Sequence, residues 1–277
     1  MSIYEIAMPY HRQTRATKIA KGFDEFADRA VSHTVIMNHL RKLAGSNTIV
    51  SSSKSDVVDP NTVGINAYYD PDEDEDGEKP IELVLVFNPN DKRVTMSKLE
   101  WREFASELIE YLQHELIHQY QYRSRGFKPT RAYVSKSKDS EQKKQQEYLG
   151  NPDEIEAYAH NLASELERKT KGNLEQQLRL LRHFASTAMT RDQAGRLLSP
   201  SLFGYFKDFN FNPNHPVLKA LMKKTYQYIM LKQKKEIRNS RIQARNQDIE
   251  KKKAAFEERK EALDNDHKTS YTAIVER

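Results

Sequence analysis

The 277-residue sequence contains no cysteine, which excludes both a disulfide framework and a thiolate metal site. A metal bound by this chain must therefore use histidine and carboxylate ligands. No apolar run approaches the roughly 20 residues needed to cross a bilayer, and Met1 to Arg15 lacks the apolar centre of a secretory signal. The expectation is a soluble, unexported protein, cytoplasmic in location. Charge of one sign is also in short supply, because 45 basic residues face 40 acidic ones for a net +5. That mild surplus serves solubility, and 31% charged residues suggest a modest core with long solvated helices.

What is present is His114-Glu115-Leu116-Ile117-His118, an HExxH stretch inside a long helical pattern. Residues four apart on a helix lie one turn above each other, so both imidazoles can reach one Zn²⁺ from the same face. Glu115 is then placed to take a proton from zinc-bound water. Two histidines leave a catalytic zinc one protein ligand short. Neither the inverted HxxEH pattern nor a third histidine at metzincin spacing follows.

The rest of the chain supplies a frame for that helix. Met1 to Arg15 reads as an arm, and apolar residues at helical spacing from Ala16 to Leu43 predict one long helix or two short ones. Thr48–Ser52, Thr62–Tyr69 and Ile81–Phe87 read as strands, the last the strongest. Between the second and third, Asp70 to Glu78 is an acidic loop expected to stay solvated. Ser97 and Glu100 form a capping-box pattern that should start the HExxH helix, and Arg125-Gly126 should end it. Phe104, Leu108, Leu112, Leu116 and Tyr120 make its core-facing stripe, with the histidines on another face.

Phe127 to Gly150 is polar and basic, and predicts a long loop in which Arg131 and Tyr133, with Arg123 and Arg125 just before it, could contact a substrate. Asn151 and Pro152 open the next helix, which Gly172 ends. Further helical patterns cover Leu174–Met189 and Arg191–Leu198, and the aromatic stretch Leu202–Phe211 is expected to pack back on the domain. Pro216 to Lys260 reads as one long helix, apolar at first and then almost wholly charged. It suits self-association or an acidic partner, nucleic acid included.

Glu154-Ile155-Glu156-Ala157 on the Asn151 helix has the Glu-x-x-Ala form found downstream of HExxH in the gluzincin superfamily of zinc metallopeptidases, which this chain resembles. The resemblance implies Glu154 as third ligand. Glu156 begins a second Glu-x-x-Ala and is the rival, because Glu154 also sits where a capping box would engage it. The order helix, strands, strong strand, HExxH helix, loop and glutamate helix resembles a minimal gluzincin core. The extended HExxHxxQ form, His114 to Gln121, and the Asn151 to Ala159 stretch resemble peptidases encoded by tailed bacteriophages.

The fold class expected is α+β and mostly helical: an arm at 1–15, a zincin-like domain at 16–171, a helical and aromatic packing segment at 172–215 and a charged helix and tail at 216–277. The resemblance further implies hydrolysis of a protein or peptide with Glu115 as base, in a host cytoplasm or virion. It also implies an edge strand that binds the substrate backbone, for which Ile81–Phe87 is the candidate. The oxyanion donor is open among Tyr133, Tyr158 and Arg131, and so is the group that orients the zinc histidines. The competing reading is a structural or scaffold protein, virion assembly included, that keeps the core and uses the basic helix.

Overall fold

In the computed structural model, which describes residues 19, 22–44, 48–72, 74, 80–187 and 189–275, with side chains to 254, a short 3₁₀ turn at Asp24–Phe26 precedes β1 (Ala30–Ser32) and α1 (His33–Ala44). There follow β2 (Thr48–Lys54), β3 (Val63–Tyr68), β4 (Ile81–Phe87) and β5 (Arg93–Thr95), and then the HExxH helix α2 (Lys98–Ser124). The remainder is helical: α3 (Ser140–Leu149), α4 (Pro152–Lys169), α5 (Leu174–Ser186), α6 (Arg191–Leu197), α7 (Pro200–Asp208) and α8 (Pro216–Val275). The architecture is mixed α+β and predominantly helical, and no described helix is long and apolar enough to cross a membrane. The arm expected at Met1 to Arg15 lies outside the described residues.

The chain divides into one compact unit ending at Tyr228 and a second from Ile229 onward. In the first, β4 runs between β2, to which it is parallel, and β3, to which it is antiparallel. Burial on both faces explains its unbroken IELVLVF sequence. It also corrects the substrate-strand expectation, since a central strand has no free edge; β2 and β3 are the edge strands, and β3 is the one that meets the HExxH helix. Leu83, Leu85 and Phe87 of β4 join Phe23, Leu40, Trp101, Phe104 and Leu108 in one core.

The helical run predicted from Ala16 to Leu43, as one long helix or two short ones, is interrupted among its described residues. Asp28 adopts the left-handed region at φ 59° and donates its N–H to Met96 O at 3.0 Å. The chain then enters β1, which pairs with β5, a short strand that sequence periodicity did not signal. Trp101 anchors the corner by donating Nε1–H to Phe26 O at 3.2 Å. The α2 start is as expected: Ser97 Oγ accepts from Glu100 N, and Glu100 Oε2 accepts from Ser97 N at 2.6 Å. Gly126, at φ 59°, follows its end.

Candidate metal centre

α2 is buried on more than its apolar stripe. Leu116 and Tyr120 are only half-buried, whereas Ile117, His118, Gln119 and Gln121 are buried. The stripe expectation fails there because α4 and the end of β3 pack against the helix from the polar side. Those contacts place His114 and His118 inside the protein, 9% and 8% exposed.

α4 supplies the carboxylate between them. Glu154 Oε2 lies 3.3 Å from His114 Nε2, and its Oε1 lies 3.2 Å from His118 Nε2. Yet His118 Nε2 and Glu154 Oε2 are buried with no hydrogen-bond partner. Close approach without hydrogen-bond alignment is what donors aimed at one shared point produce. Bonds of about 2.05 Å to a tetrahedral ion put neighbouring ligand atoms about 3.3 Å apart. The three donor atoms all fall within 4.8 Å of one another, and the group can hold a metal ion.

The polar shell around these residues settles which ring nitrogens face inward. His118 Nδ1 lies 3.1 Å from Gln121 Oε1, so the Nδ1–H donates there and Nε2 keeps its lone pair for a ligand. Gln121 Nε2 in turn donates to Asp153 O at 3.3 Å, and Arg125 holds the Asp153 carboxylate through two 2.7 Å hydrogen bonds. The end of α2 thus clamps the start of α4, one residue before Glu154. Asn161 Nδ2 sits 3.5 Å from His114 Nδ1 while its buried Oδ1 has no partner. Turning that amide over lets Oδ1 accept from His114 Nδ1–H, which is the assignment the hydrogen-bond network favours. The sequence left the orienting group open; Asn161 lies seven residues after Glu154, two turns on and still on the same face.

Glu115 faces a different support. Its Oε2 accepts the backbone N–H of Tyr69 at 2.9 Å, immediately after edge strand β3. Tyr69 is itself held by Asp74, whose Oδ2 accepts the phenol O–H at 2.5 Å and the Arg123 Nε–H at 2.9 Å. Asp74 is 1% exposed, which corrects the solvated-loop expectation at that residue: one carboxylate of the acidic stretch is buried because Arg123 neutralises it. Burial pushes the Glu115 carboxyl up to about 7, with the positive charge of His118 opposing and the negative charge of Glu154 adding to the rise.

Several other predicted contacts resolve differently. Arg123 and Arg125, expected to meet substrate, are engaged by Asp74 and Asp153. Glu156 does not approach the histidines; it accepts from Lys224 Nζ at 3.2 Å and Tyr228 O–H at 3.1 Å. Nor does Glu154 serve the helix cap, where Asn151 alone accepts from Asp153 N. Tyr158 stacks edge-on against His114, with ring centres 5.0 Å apart, and is backed by Tyr205 at 4.5 Å. Tyr133 lies over Gly150, where an added Cβ would meet its ring at 2.3 Å, and points to His215. Arg131 is exposed.

Sequence reasoning missed Tyr148. It belongs to α3, a helix within what reads as a long polar loop, begun by Asp139 Oδ1 accepting from Gln142 N at 2.7 Å. Helix-favouring Glu, Gln and Lys residues after an Asp cap were the available signal. Tyr148 is 55% exposed, yet its hydroxyl end is turned to the Glu154 carboxylate. Burial of that end, with the charge of Glu154 and a hydrogen bond to it, holds the phenol proton on well above the ordinary range.

The electrostatics of the metal-free site carry a pH signature. Burial lowers the His118 pKa, but the adjacent Glu154 carboxylate outweighs it and raises the group to about 9. Burial holds His114 below its usual value. Burial would raise Glu154, but the two imidazoles outweigh it and keep that carboxyl well below the usual range. A raised His118 stabilises the fold fully below its unfolded value of 6.5 and loses that contribution as pH rises through about 9. Glu115, raised from 4.5 to about 7, acts with the same sign over a lower window. Glu154, depressed, acts oppositely and only in acid. Chelated protein should therefore melt at progressively lower temperature from pH 6 to pH 9. Metal uptake must displace the His118 proton, so affinity should strengthen by about tenfold per pH unit between pH 7 and 9. Calorimetry with and without chelator measures both, and a flat profile in each would refute the assigned proton on His118.

No family model, curated protein or solved structure matches this chain.

Proposed function

We propose that the protein is a zinc-dependent peptidase of gluzincin type, with His114, His118 and Glu154 as ligands and Glu115 as general base. The observation that carries this reading is the Glu154 carboxylate lying 3.2 and 3.3 Å from two imidazole nitrogens one helical turn apart, with unpartnered donor atoms facing inward. The resemblance of Glu-x-x-Ala to the gluzincins, and of HExxHxxQ and the Asn151 to Ala159 stretch to peptidases of tailed bacteriophages, supports the same assignment. Two imidazoles and one carboxylate are the donor set of a catalytic zinc that keeps one position open.

A zinc ion bound there supplies Lewis acidity toward the scissile carbonyl and a water whose pKa falls toward neutrality. Glu115 takes the proton of the attacking water and delivers it to the leaving amine. Burial, which raises this carboxyl in the metal-free site, favours its taking up a proton, and a bound cation opposes that rise. The Tyr69 N–H fixes one carboxylate oxygen and leaves the other for the proton. Tyr148, neutral and partly exposed, is the donor best placed to meet the developing oxyanion. Its hydroxyl turns from Glu154 to the substrate oxygen as charge develops.

The substrate backbone adds to the free edge of β3. Tyr69 N–H points away from β4, so by the two-residue alternation of a strand the polar groups of Ile65 and Ala67 point the same way. An extended peptide on that edge is led directly to Glu115, which favours unfolded or flexible protein segments as substrates.

The test is metal analysis of the purified protein beside cleavage of an unstructured protein such as casein. The expected result is one zinc per chain, cleavage abolished by chelation and restored by zinc. Stoichiometric metal without cleavage of any unfolded substrate would make the centre structural and favour the scaffold reading. Absence of metal binding altogether would end the proposal.

A further inference from the structure

The second unit carries charge in a pattern that the first does not. Residues 229–254 hold nine lysines and arginines against three acids, an excess of six that outweighs the +5 of the entire chain. All of it lies on one helix, α8. Lys234, Arg238, Arg241 and Arg245, spaced four, three and four apart, fall within about 60° of one another around a helix of 3.6 residues per turn and rise over about 16 Å. All four are exposed, and among the described residues none has an acidic partner. Lys252 and Lys253, by contrast, are paired with Asp248 and Glu250 at 2.8 Å.

Apolar side chains flank the stripe. Ile237 lies along one side; Ile242 and Ile249 lie along the other, and these isoleucines are 44%, 47% and 40% exposed. The four basic residues with Ile237 and Ile242 line a shallow concavity on the helix. A solvated helix needs neither exposed isoleucines nor arginines left without carboxylates. Further along the same helix Lys252 and Lys253 meet Asp248 and Glu250 at i,i+4 and i,i+3 spacing.

We propose that this face of residues 229–254 binds duplex DNA, with Lys234, Arg238, Arg241 and Arg245 on the phosphates of one groove wall and Ile242 and Ile249 turned to the base edges. A duplex presents about one negative charge per 1.7 Å, so some ten phosphate charges lie along the length of the stripe. Guanidinium groups, three of the four here, match phosphate oxygens in a bidentate fork. The major groove of B-DNA, about 12 Å wide, admits an α-helix, whereas that of duplex RNA is too narrow. The isoleucines fit thymine methyl groups rather than a sequence of polar edges, so the interaction is strong in charge and weak in sequence choice. It is independent of the metal centre and of its proposed chemistry.

The experiment is titration of the full-length protein with a mixed-sequence duplex of about 24 base pairs across 50–300 mM salt. Four phosphate contacts predict a slope of log K against log salt of about −4. Lys234, Arg238, Arg241 and Arg245, all replaced by Gln, should remove nearly all of that slope, while the circular dichroism of these exposed positions stays unchanged. Arg241→Gln with Arg245→Gln should cost about two units of slope, whereas Lys252→Gln with Lys253→Gln, the same change in net charge, should cost less than one. Duplex RNA should bind at least tenfold more weakly. No DNA binding at 50 mM salt, equal loss from the two double variants, or equal affinity for polyglutamate would each overturn the proposal, the last in favour of an acidic protein partner.

Discussion

Replacing Glu115 by glutamine is expected to lower turnover on the order of 10²-fold or more, the range for loss of a general acid or base, while the protein keeps its metal. The side chain keeps its shape and its carbonyl oxygen can still accept the Tyr69 N–H that now binds Oε2. What disappears is the ability to hold a proton between water and leaving amine. KM should change little, because the substrate contacts assigned to β3 are untouched, and kcat should carry the loss. The acid limb of the pH–rate profile, set by protonation of that carboxyl, should vanish with it. A variant that cleaves at the parental rate would remove Glu115 from the mechanism and leave the metal assignment standing on its own.

The second large effect separates the two glutamates. Glu154→Ala is expected to abolish stoichiometric metal binding, a greater loss than the 10–100-fold that follows removal of a residue merely supporting a ligand. Two imidazoles would be left without the carboxylate that lies 3.2 and 3.3 Å from them. In the same variant the chelated protein should lose most of its dependence on pH between 7 and 9, because Glu154 is the largest of the groups that raise His118, ahead of Glu115 and Gln121. Glu156→Gln should retain metal and activity. Its partners are Lys224 and Tyr228, so the expected cost is about 1 kcal/mol of stability, that of one exchanged hydrogen-bonded pair. Metal analysis and thermal melts of the two variants decide the matter, and the reverse outcome would move the centre to Glu156.

The elements that depend on near neighbours were legible before any coordinates. The Ser97 and Glu100 cap, the Gly126 stop and the Asn151-Pro152 start were each readable from a few adjacent residues, because caps satisfy backbone groups within one turn. Burial of Tyr205, Phe206 and Phe209 agrees with the expectation that the aromatic stretch packs inward. What failed was whatever depends on a distant partner. Val31 lies in a helical-looking run, yet it pairs with Val94 across the chain. Asp74 lies among acids, yet Arg123, on a helix far along the sequence, draws it under the surface.

The metal centre divides the same way. Two histidines and a glutamate at i, i+1 and i+4 specify, through helix geometry alone, a pair of imidazoles on one face with a carboxylate beside them, and that much the sequence determined unaided. The approach of Glu154 rather than Glu156, the end of β3 against Glu115, and the turning of Tyr148, Gln121 and Asn161 toward the site were decided only by tertiary packing. The physical reason is the range of the forces involved. A helical turn is set by hydrogen bonds four residues long, whereas the choice between two carboxylates on one helix depends on which of its faces is buried against α2. That choice follows from the core as a whole.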